Sequence, residues 1–366
     1  MPIYMDLHIL PGVKAKDVAE AHHRDMLVQD EHECKCMTYW IDEKRGNVFC
    51  LIDAPSEEAV KQMHHNSHGL IPHRIIEVDD SLVDSFLGRI SDPEEATLTD
   101  NGLKVFSDSS FRIILVIKST DPVLLRHQLG KEKAAEMLSR FYAVTRAELA
   151  AYDGSEADHT DAGFIASFTS AAKAVNCAES IQNKIAAADI PVTGLRIGIH
   201  AGEPVTANGQ LFGDAILFAA RLCAINNKLQ VAVSSAVKDV LAKSELHNKE
   251  YGFMKLLPQD EITLGTILNT MEQHWQESEY NMDQYCRAMA MSKTQLYRKT
   301  MLLFGYSPNA LLNEYRLEKA KKLMQRRQHN ISQVAFETGF TSPSYFTKCF
   351  KKKFGMLPNT YLELLD

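Results

Sequence analysis

The strongest constraint in this chain is a pattern that occurs twice, 50 residues apart, near its C-terminal end. Asn281 to Gly305 and Asn330 to Gly355 each read as a short helix, a tight turn and a longer helix opened by a serine. Ser292 is followed by Gln295, a capping box that pairs two N–H groups otherwise orphaned at a helix start. Ser342 is followed by Pro343, which suits the first helical position because it has no N–H to leave unpaired. Gly339 supplies the turn, and Ala335 is small enough for two helices to approach closely. Phe346, Phe350 and Phe354 recur every four residues and therefore face a core. That phasing leaves Ser344, Thr347, Lys348 and Lys351 outward on the second unit, and Lys293, Thr294, Tyr297 and Arg298 outward on the first.

Such outward faces carry the groups that read a duplex. Arg and Lys donate to guanine or phosphate, Ser and Thr to either, and an aromatic or a threonine methyl meets thymine. A helix expected from Asn309 to Arg327 bridges the units. Its 19 residues span about 28 Å, comparable with the roughly 34 Å of one DNA turn. Charge agrees: Trp275 to Asp366 holds 14 Lys and Arg against 8 Asp and Glu, so this end carries +6 and the remainder −13. A basic end on an acidic protein suggests that this end alone meets a polyanion. With the outward side chains above, the expected partner is double-stranded promoter or operator DNA.

The residues also resemble a known family. Tyr315-Arg316-Leu317-Glu318-Lys319-Ala320, Val334-Ala335-Phe336-Glu337-Thr338-Gly339-Phe340, and Tyr345-Phe346 through Phe350-Lys351-Lys352-Lys353-Phe354-Gly355 are similar to the signature of AraC/XylS-type regulators, as is the loop Gly305-Tyr306-Ser307-Pro308. The resemblance implies a sequence-specific transcription regulator. Thr300 departs from it, standing where that family usually has an aromatic.

The middle segment, 111–256, interleaves strands with helices. Strands are expected at Phe111 to Ile117, Phe164 to Phe168, Leu195 to His200 and Gln230 to Ser234, and helices at Ala134 to Tyr152, Ala171 to Ala187 and Asp214 to Ile225. Leu195-Arg196-Ile197-Gly198-Ile199-His200-Ala201-Gly202-Glu203, Leu211-Phe212-Gly213-Asp214-Ala215 and Ala219-Ala220-Arg221-Leu222 resemble class III nucleotide cyclases. Catalysis there needs two carboxylates holding two metal ions. The resemblance places Lys118 and Ala162 at those positions, Asp158 at the base-selecting lysine and Leu217 at the ribose asparagine. Of the catalytic set Arg221 alone remains, and Asp161 stands where the family has glycine. The expectation is a degenerate domain, not an enzyme, that serves as a pairing scaffold in a homodimer.

The first segment, 1–80, reads βαββαβ: strands at Pro2 to His8, Cys36 to Ile41, Val48 to Asp53 and His73 to Val78, with helices from Ala15 to Glu31 and from a Ser56 cap to His68. This order predicts a four-stranded antiparallel ferredoxin-like sheet with both helices on one face. Eight of the 14 histidines and three of the seven cysteines lie here. His64 and His68 share a helix face at a spacing that lets both reach one metal. His22, at similar depth on the parallel helix, completes the candidate cluster, with Asp25 as an oxygen ligand. His8 is expected at the other face or the rim, in a separate site with Cys36. Imidazole with carboxylate suits zinc, nickel, copper or iron. Met1-Pro2-Ile3-Tyr4-Met5-Asp6-Leu7-His8, Cys36-Met37-Thr38-Tyr39-Trp40 and His68-Gly69-Leu70-Ile71-Pro72-His73 resemble a small ferredoxin-like family described as nickel-binding, which implies nickel first, with zinc the other metal expected. Asp53 departs from that family's glutamate.

The chain thus reads as multi-domain: an α+β ferredoxin-like domain (1–80), a linker (81–110), an α+β cyclase-like domain (111–256) and an all-α double helix-turn-helix domain (257–366). The expected function is transcription regulation modulated by a metal or small effector at the front. The alternative is a metal-handling or enzymatic front domain fused to an autoregulatory DNA-binding module. Scattered cysteines in odd number and the absence of a long apolar run or a basic, apolar leader favour a cytoplasmic protein with no membrane contact.

Overall fold

Alternation along the first segment produces the expected order: β1 (Ile3–Ile9), α1 (Ala15–Val28), β2 (Lys35–Asp42), β3 (Asn47–Asp53), α2 (Glu57–Ser67) and β4 (Arg74–Val78). The strands form one antiparallel sheet in the order β2-β3-β1-β4. The computed structural model describes residues 1–99, 103–160, 163–188, 194–225, 231–242 and 254–365. Ser56 caps α2 as expected, its Oγ accepting from the Ala59 N–H at 3.2 Å.

Both faces of this sheet are covered. Tyr39, Ile41, Val48, Cys50 and Ile52 pack with Val18 and Ala19 of α1 and Val60 and Met63 of α2. Met5, Leu7, Trp40, Phe49 and Leu51 point the other way, onto a helix α3 (Asp80–Leu87) and residues of the middle segment that include Ile114, Val116 and Phe212. The polar stretch after β4, read as a linker, holds α3 and a short hairpin, β5 (Thr97–Leu98) and β6 (Lys104–Val105). A few anchors fix it to the first domain. Phe106 stacks on Tyr39 with centroids 4.0 Å apart, and Arg89 lies over Trp40 while donating to the Tyr39 carbonyl at 2.6 Å.

The middle segment contains β7 (Arg112–Lys118), α4 (Pro122–Leu129), α5 (Lys131–Ala151), β8 (Ser155–Thr160), β9 (Gly163–Phe168), α6 (Ala171–Ala187), β10 (Arg196–Gly202), α7 (Gly213–Leu222), β11 (Val231–Val233), α8 (Ser235–Ala242) and β12 (Met254–Lys255). Its six-stranded mixed sheet runs β12-β11-β10-β7-β9-β8. β7 is central and buried on both faces, which is why it reads as an unbroken apolar run. Ile113, Leu115 and Ile117 meet the core built on Phe141, Leu149 and Ala174, while Ile114 and Val116 face the first domain.

The C-terminal segment is all helical: α9 (Pro258–His274), α10 (Met282–Ala288), α11 (Lys293–Phe304), α12 (Pro308–Gln325), α13 (Ile331–Glu337), α14 (Pro343–Phe354) and α15 (Pro358–Glu363). The two-fold pattern is reproduced in detail. Ser292 accepts from the Gln295 N–H at 3.2 Å and Ser342 from the Tyr345 N–H at 3.2 Å. α11 and α14 both end on a left-handed glycine, Gly305 and Gly355, each with φ +75°. Their cores differ. Phe346, Phe350, Phe354 and Tyr361 fill the second unit, whereas Leu264, Ile267, Leu268 and Met271 of α9 fill the first against Leu296, Leu303 and Phe304. Thr300, the counterpart of Phe350, is fully buried and donates to the Tyr297 carbonyl at 3.1 Å. Where the second unit stacks aromatics, the first draws part of its core from a helix outside the repeat.

Candidate nucleic-acid interface and metal centre

On α11, Lys293, Thr294, Tyr297 and Arg298 are exposed; on α14, Ser344, Lys348 and Lys351 are exposed and Thr347 is half-buried. Lys293 is held by Asp283 of α10 at 2.7 Å, an exposed pair that a phosphate could displace at little cost. Tyr345, which the periodicity did not single out, is 47% exposed on α14, and its hydroxyl accepts from Asn313 at 3.3 Å.

The units are pinned together at Gly339. Its φ is +77°, and a Cβ there would stand 2.5 Å from the Trp275 carbonyl and 2.9 Å from Arg316 Nε. Arg316 in turn donates to the carbonyls of Trp275 (2.8 Å) and Glu277 (2.6 Å). The end of α9, the middle of α12 and the turn before α14 therefore meet at one point that only glycine can occupy without displacement.

In the first domain, His64 sits between two carboxylates. Its Nε2 is 2.8 Å from Asp6 Oδ2, and its Nδ1 is 3.2 Å from Asp25 and 3.2 Å from His68 Nε2. His8 Nε2 lies 3.5 Å from Asp6 Oδ1. Potential ligand atoms of Asp6, His8, Cys50 and His64 lie within 4.8 Å of one another, as do those of Asp25, His64 and His68. All are buried except His68, which is half-buried. Burial pushes the His64 imidazolium down, but the charge of Asp6 and the hydrogen bond to Asp25 outweigh it, and its pKa is pushed up to about 10. Burial likewise disfavours the Asp6 and Asp25 carboxylates, yet the neighbouring imidazoles hold both well below the ordinary range. Burial, then the fields of Asp6 and Asp25, raise the Cys50 thiol well above its usual value.

Three placements differ from the sequence reading. His8 is on the helix-facing side of the sheet and joins His64, because it shares strand parity with Asp6 while Met5 and Leu7 take the opposite face. Cys36 is not beside His8; its Sγ contacts Met63 Sδ at 3.7 Å, beyond a bulge between Cys36 and Thr38. His22 is buried but stands apart from the pair His64 and His68. It packs on Tyr39, and its Nε2, without a hydrogen-bond partner, lies 3.9 Å from Asp92. The side of α1 turned to α2 presents Asp25 instead, three residues on. A cavity of about 80 Å³, lined by His8, His22, Asp25, Cys50 and His68 with an apolar wall, adjoins the cluster.

The donor chemistry fits a divalent cation. Two buried carboxylates around a single imidazolium leave excess negative charge, and a metal would let His64 bind as a neutral ligand. A carboxylate on its far nitrogen would then orient the ring. Asp6 and Cys50 were missed from sequence, although the i, i+2 relation of Asp6 to His8 was a usable signal.

In the middle segment, Lys118 Nζ donates to the Ala220 carbonyl at 3.3 Å, and Arg221 hydrogen-bonds Asn269 of α9. Leu217 is 46% exposed. Asp158 lies on β8, opposite Ile165 of β9. Asp161 and Ala162 lie outside the described residues.

These features define a ferredoxin-like domain with a buried His/Asp/Cys cluster, joined through a mixed-sheet domain to a double helix-turn-helix. Residues 285–363 match the family described as "Helix-turn-helix domain", and residues 4–78 match "Nickel responsive protein SCO4226-like". The chain therefore carries an AraC-type helix-turn-helix domain at its C-terminal end and belongs, through its N-terminal domain, to the SCO4226-like family. Over 85 residues it is 35% identical to the HTH-type transcriptional regulator MtrA of Neisseria gonorrhoeae, covering 23% of this chain and 28% of that one. The crystal structure of SCO4226 from Streptomyces coelicolor A3(2) is 30% identical, with 21% of this chain and 94% of that chain covered and a TM-score of 0.20. The structure of a bacterial light-regulated adenylyl cyclase is similar over 65% of this chain and 86% of that one, at 14% identity and a TM-score of 0.30. The chain spans between a tenth and a half of the length of the curated relatives it matches. No helix among the described residues is long and apolar enough to cross a membrane.

Proposed function

We propose that this protein is a sequence-specific DNA-binding transcription regulator whose activity is modulated by a divalent metal, nickel first and zinc second, at its N-terminal domain. The observation that carries the reading is the repeated pair of serine-capped, glycine-terminated helices, each presenting a polar and basic face. Lys293, Thr294, Tyr297 and Arg298 would enter one major groove and Ser344, Thr347, Lys348 and Lys351 the next.

The metal would be held by Asp6, His8, Cys50 and His64, with Asp25 and His68 orienting His64, or by Asp25, His64 and His68 with Asp6 in the orienting role. A bound divalent ion supplies positive charge where two carboxylates converge. The chain's own part is to bury those donors under α1 and α2, so that binding must release protons from His64 and Cys50. The middle domain is read as a non-catalytic scaffold, its Lys118 and Arg221 engaged by the Ala220 carbonyl and by Asn269; that it pairs two copies is part of the same proposal.

Footprinting of the full-length protein on its own upstream DNA, with and without Ni²⁺, tests this. Two protected half-sites about one helical turn apart, with affinity altered by the metal, are expected. Binding no tighter than to random DNA at modest salt refutes the regulator; site-specific binding indifferent to Ni²⁺ and Zn²⁺ refutes the metal input.

A further inference from the structure

The two helix-turn-helix units are docked separately onto the middle domain. The first is held through α9, whose Leu264, Ile267, Leu268 and Met271 share a core with Leu222, Ile225 and Ala232, and whose Asn269 accepts from Arg221. The second is held by α4. Val123, 4% exposed, is inserted into the second unit's own core beside Leu317, Ala320, Met324 and Tyr361. Asp121, the N-cap of α4, uses its two oxygens for different tasks. Oδ1 accepts from the Val123 N–H at 2.9 Å and caps α4, while Oδ2 accepts from Lys321 of α12 at 2.9 Å and from the Tyr361 hydroxyl of α15 at 3.0 Å. Both members of the Asp121–Lys321 pair are only 12% exposed. Just two residues separate Asp121 from Lys118, the end of the central strand β7, so this contact is fixed to the most enclosed part of the sheet.

From this geometry we infer that Asp121 is a positioning residue that sets which separation of DNA half-sites the protein accepts. One body touches both units at distant points, α7 to α9 and α4 to α12 and α15, and so adds to the Trp275–Arg316–Gly339 junction in holding the two recognition helices at a fixed distance and rotation. One added base pair moves a half-site by about 3.4 Å and turns it by about 34°, a change that a doubly docked pair cannot follow. The inference rests on the reading that both units engage DNA.

The test uses the full-length protein and duplexes built from its own footprinted site, with one or two base pairs inserted or deleted between the half-sites. Asp121→Asn keeps an acceptor for the α4 cap but removes the charge that holds Lys321. Glu318, 3.0 Å from Lys321, still compensates that lysine, so the fold is retained. Native protein should lose affinity at least tenfold on the respaced duplexes. Asp121→Asn and Tyr361→Phe should lose no more than about threefold, with affinity for a single half-site unchanged, and Asp121→Glu should restore the native discrimination. Respacing penalties identical in native and Asp121→Asn protein overturn the inference, as does an Asp121→Asn defect that is equal at every spacing. Failure of native protein to prefer any duplex over random DNA overturns the underlying reading, and the inference with it.

Discussion

Replacing Gly339 by Ala should damage the DNA-binding end more than any other glycine-to-alanine change at a helix-turn-helix turn, and Gly355→Ala provides the control. Gly339 and Gly355 have nearly the same backbone, with φ +77° and +75°, so each alanine incurs the left-handed penalty of about 1–2 kcal/mol. Around Gly355 nothing lies within 4 Å of an added Cβ, and that penalty is the whole effect. At Gly339 the Cβ would stand 2.5 Å from the Trp275 carbonyl and 2.9 Å from Arg316 Nε, so one of them must move. Moving either loses a charge-assisted hydrogen bond of about 1.5–3 kcal/mol, which brings Gly339→Ala to roughly 2.5–5 kcal/mol. The chain has two tryptophans, and Trp275 lies beside the contact, so a shared Trp40→Phe background makes its fluorescence the reporter. Urea unfolding should show Gly339→Ala lowering the midpoint of the C-terminal transition well beyond Gly355→Ala, at similar slope. Equal midpoints for the two variants would mean that the Trp275–Arg316–Gly339 junction contributes nothing, and the account of how the units are locked would be wrong.

At the proposed metal site, Asp6→Asn or His68→Ala should weaken Ni²⁺ binding at least tenfold by equilibrium dialysis with elemental analysis, while His22→Ala should change it less than threefold; a His22 effect as large as that of His68 would restore the sequence-derived cluster. Burial holds the His200 imidazole, hydrogen-bonded to Ser234 at 2.8 Å, down at about 4 from an ordinary 6.5. Its contribution to stability is therefore complete above pH 6.5 and fades as pH falls towards 4, by about 3 kcal/mol at the lower limit. His200→Gln should flatten that part of the stability–pH curve, and an unchanged curve would contradict the assignment. Arg298→Ala and Lys348→Ala should each weaken operator binding. A phosphate contact would also reduce the salt slope by about 0.9, whereas a base contact would cost about 1–3 kcal/mol at one position; gel-shift affinities unchanged in both would remove these helices from the interface.

The serine caps, the proline after Ser342 and the four-residue phenylalanine spacing were legible because each acts within one or two helical turns. The βαββαβ order was legible for the same reason. The side to which His8 points was not. Parity separates Tyr4, Asp6 and His8 from Met5 and Leu7, but the usual assumption that the apolar side meets the helices fails on a sheet buried on both faces. Here the more apolar side meets α3 and the middle domain, and the donors lie under the helices. His22 belongs to neither group of converging ligand atoms, because packing turned Asp25 of α1 towards α2 instead. The helix α4 was not read from the sequence, although Asp121-Pro122 supplies an N-cap followed by proline, and its role depends on Lys321 and Tyr361, 200 and 240 residues away.

The borrowed core of the first unit has a practical corollary for anyone trimming the chain. The two-fold pattern begins at Asn281, and the family match at residue 285, but Leu264, Ile267, Leu268 and Met271 of the first unit's core come from α9, which starts at Pro258. A fragment cut at the edge of the repeat would expose the apolar flank of α11 formed by Leu296, Leu303 and Phe304. The smallest piece able to stand alone is therefore longer than the inherited motif, and heredity and cooperativity draw their borders in different places.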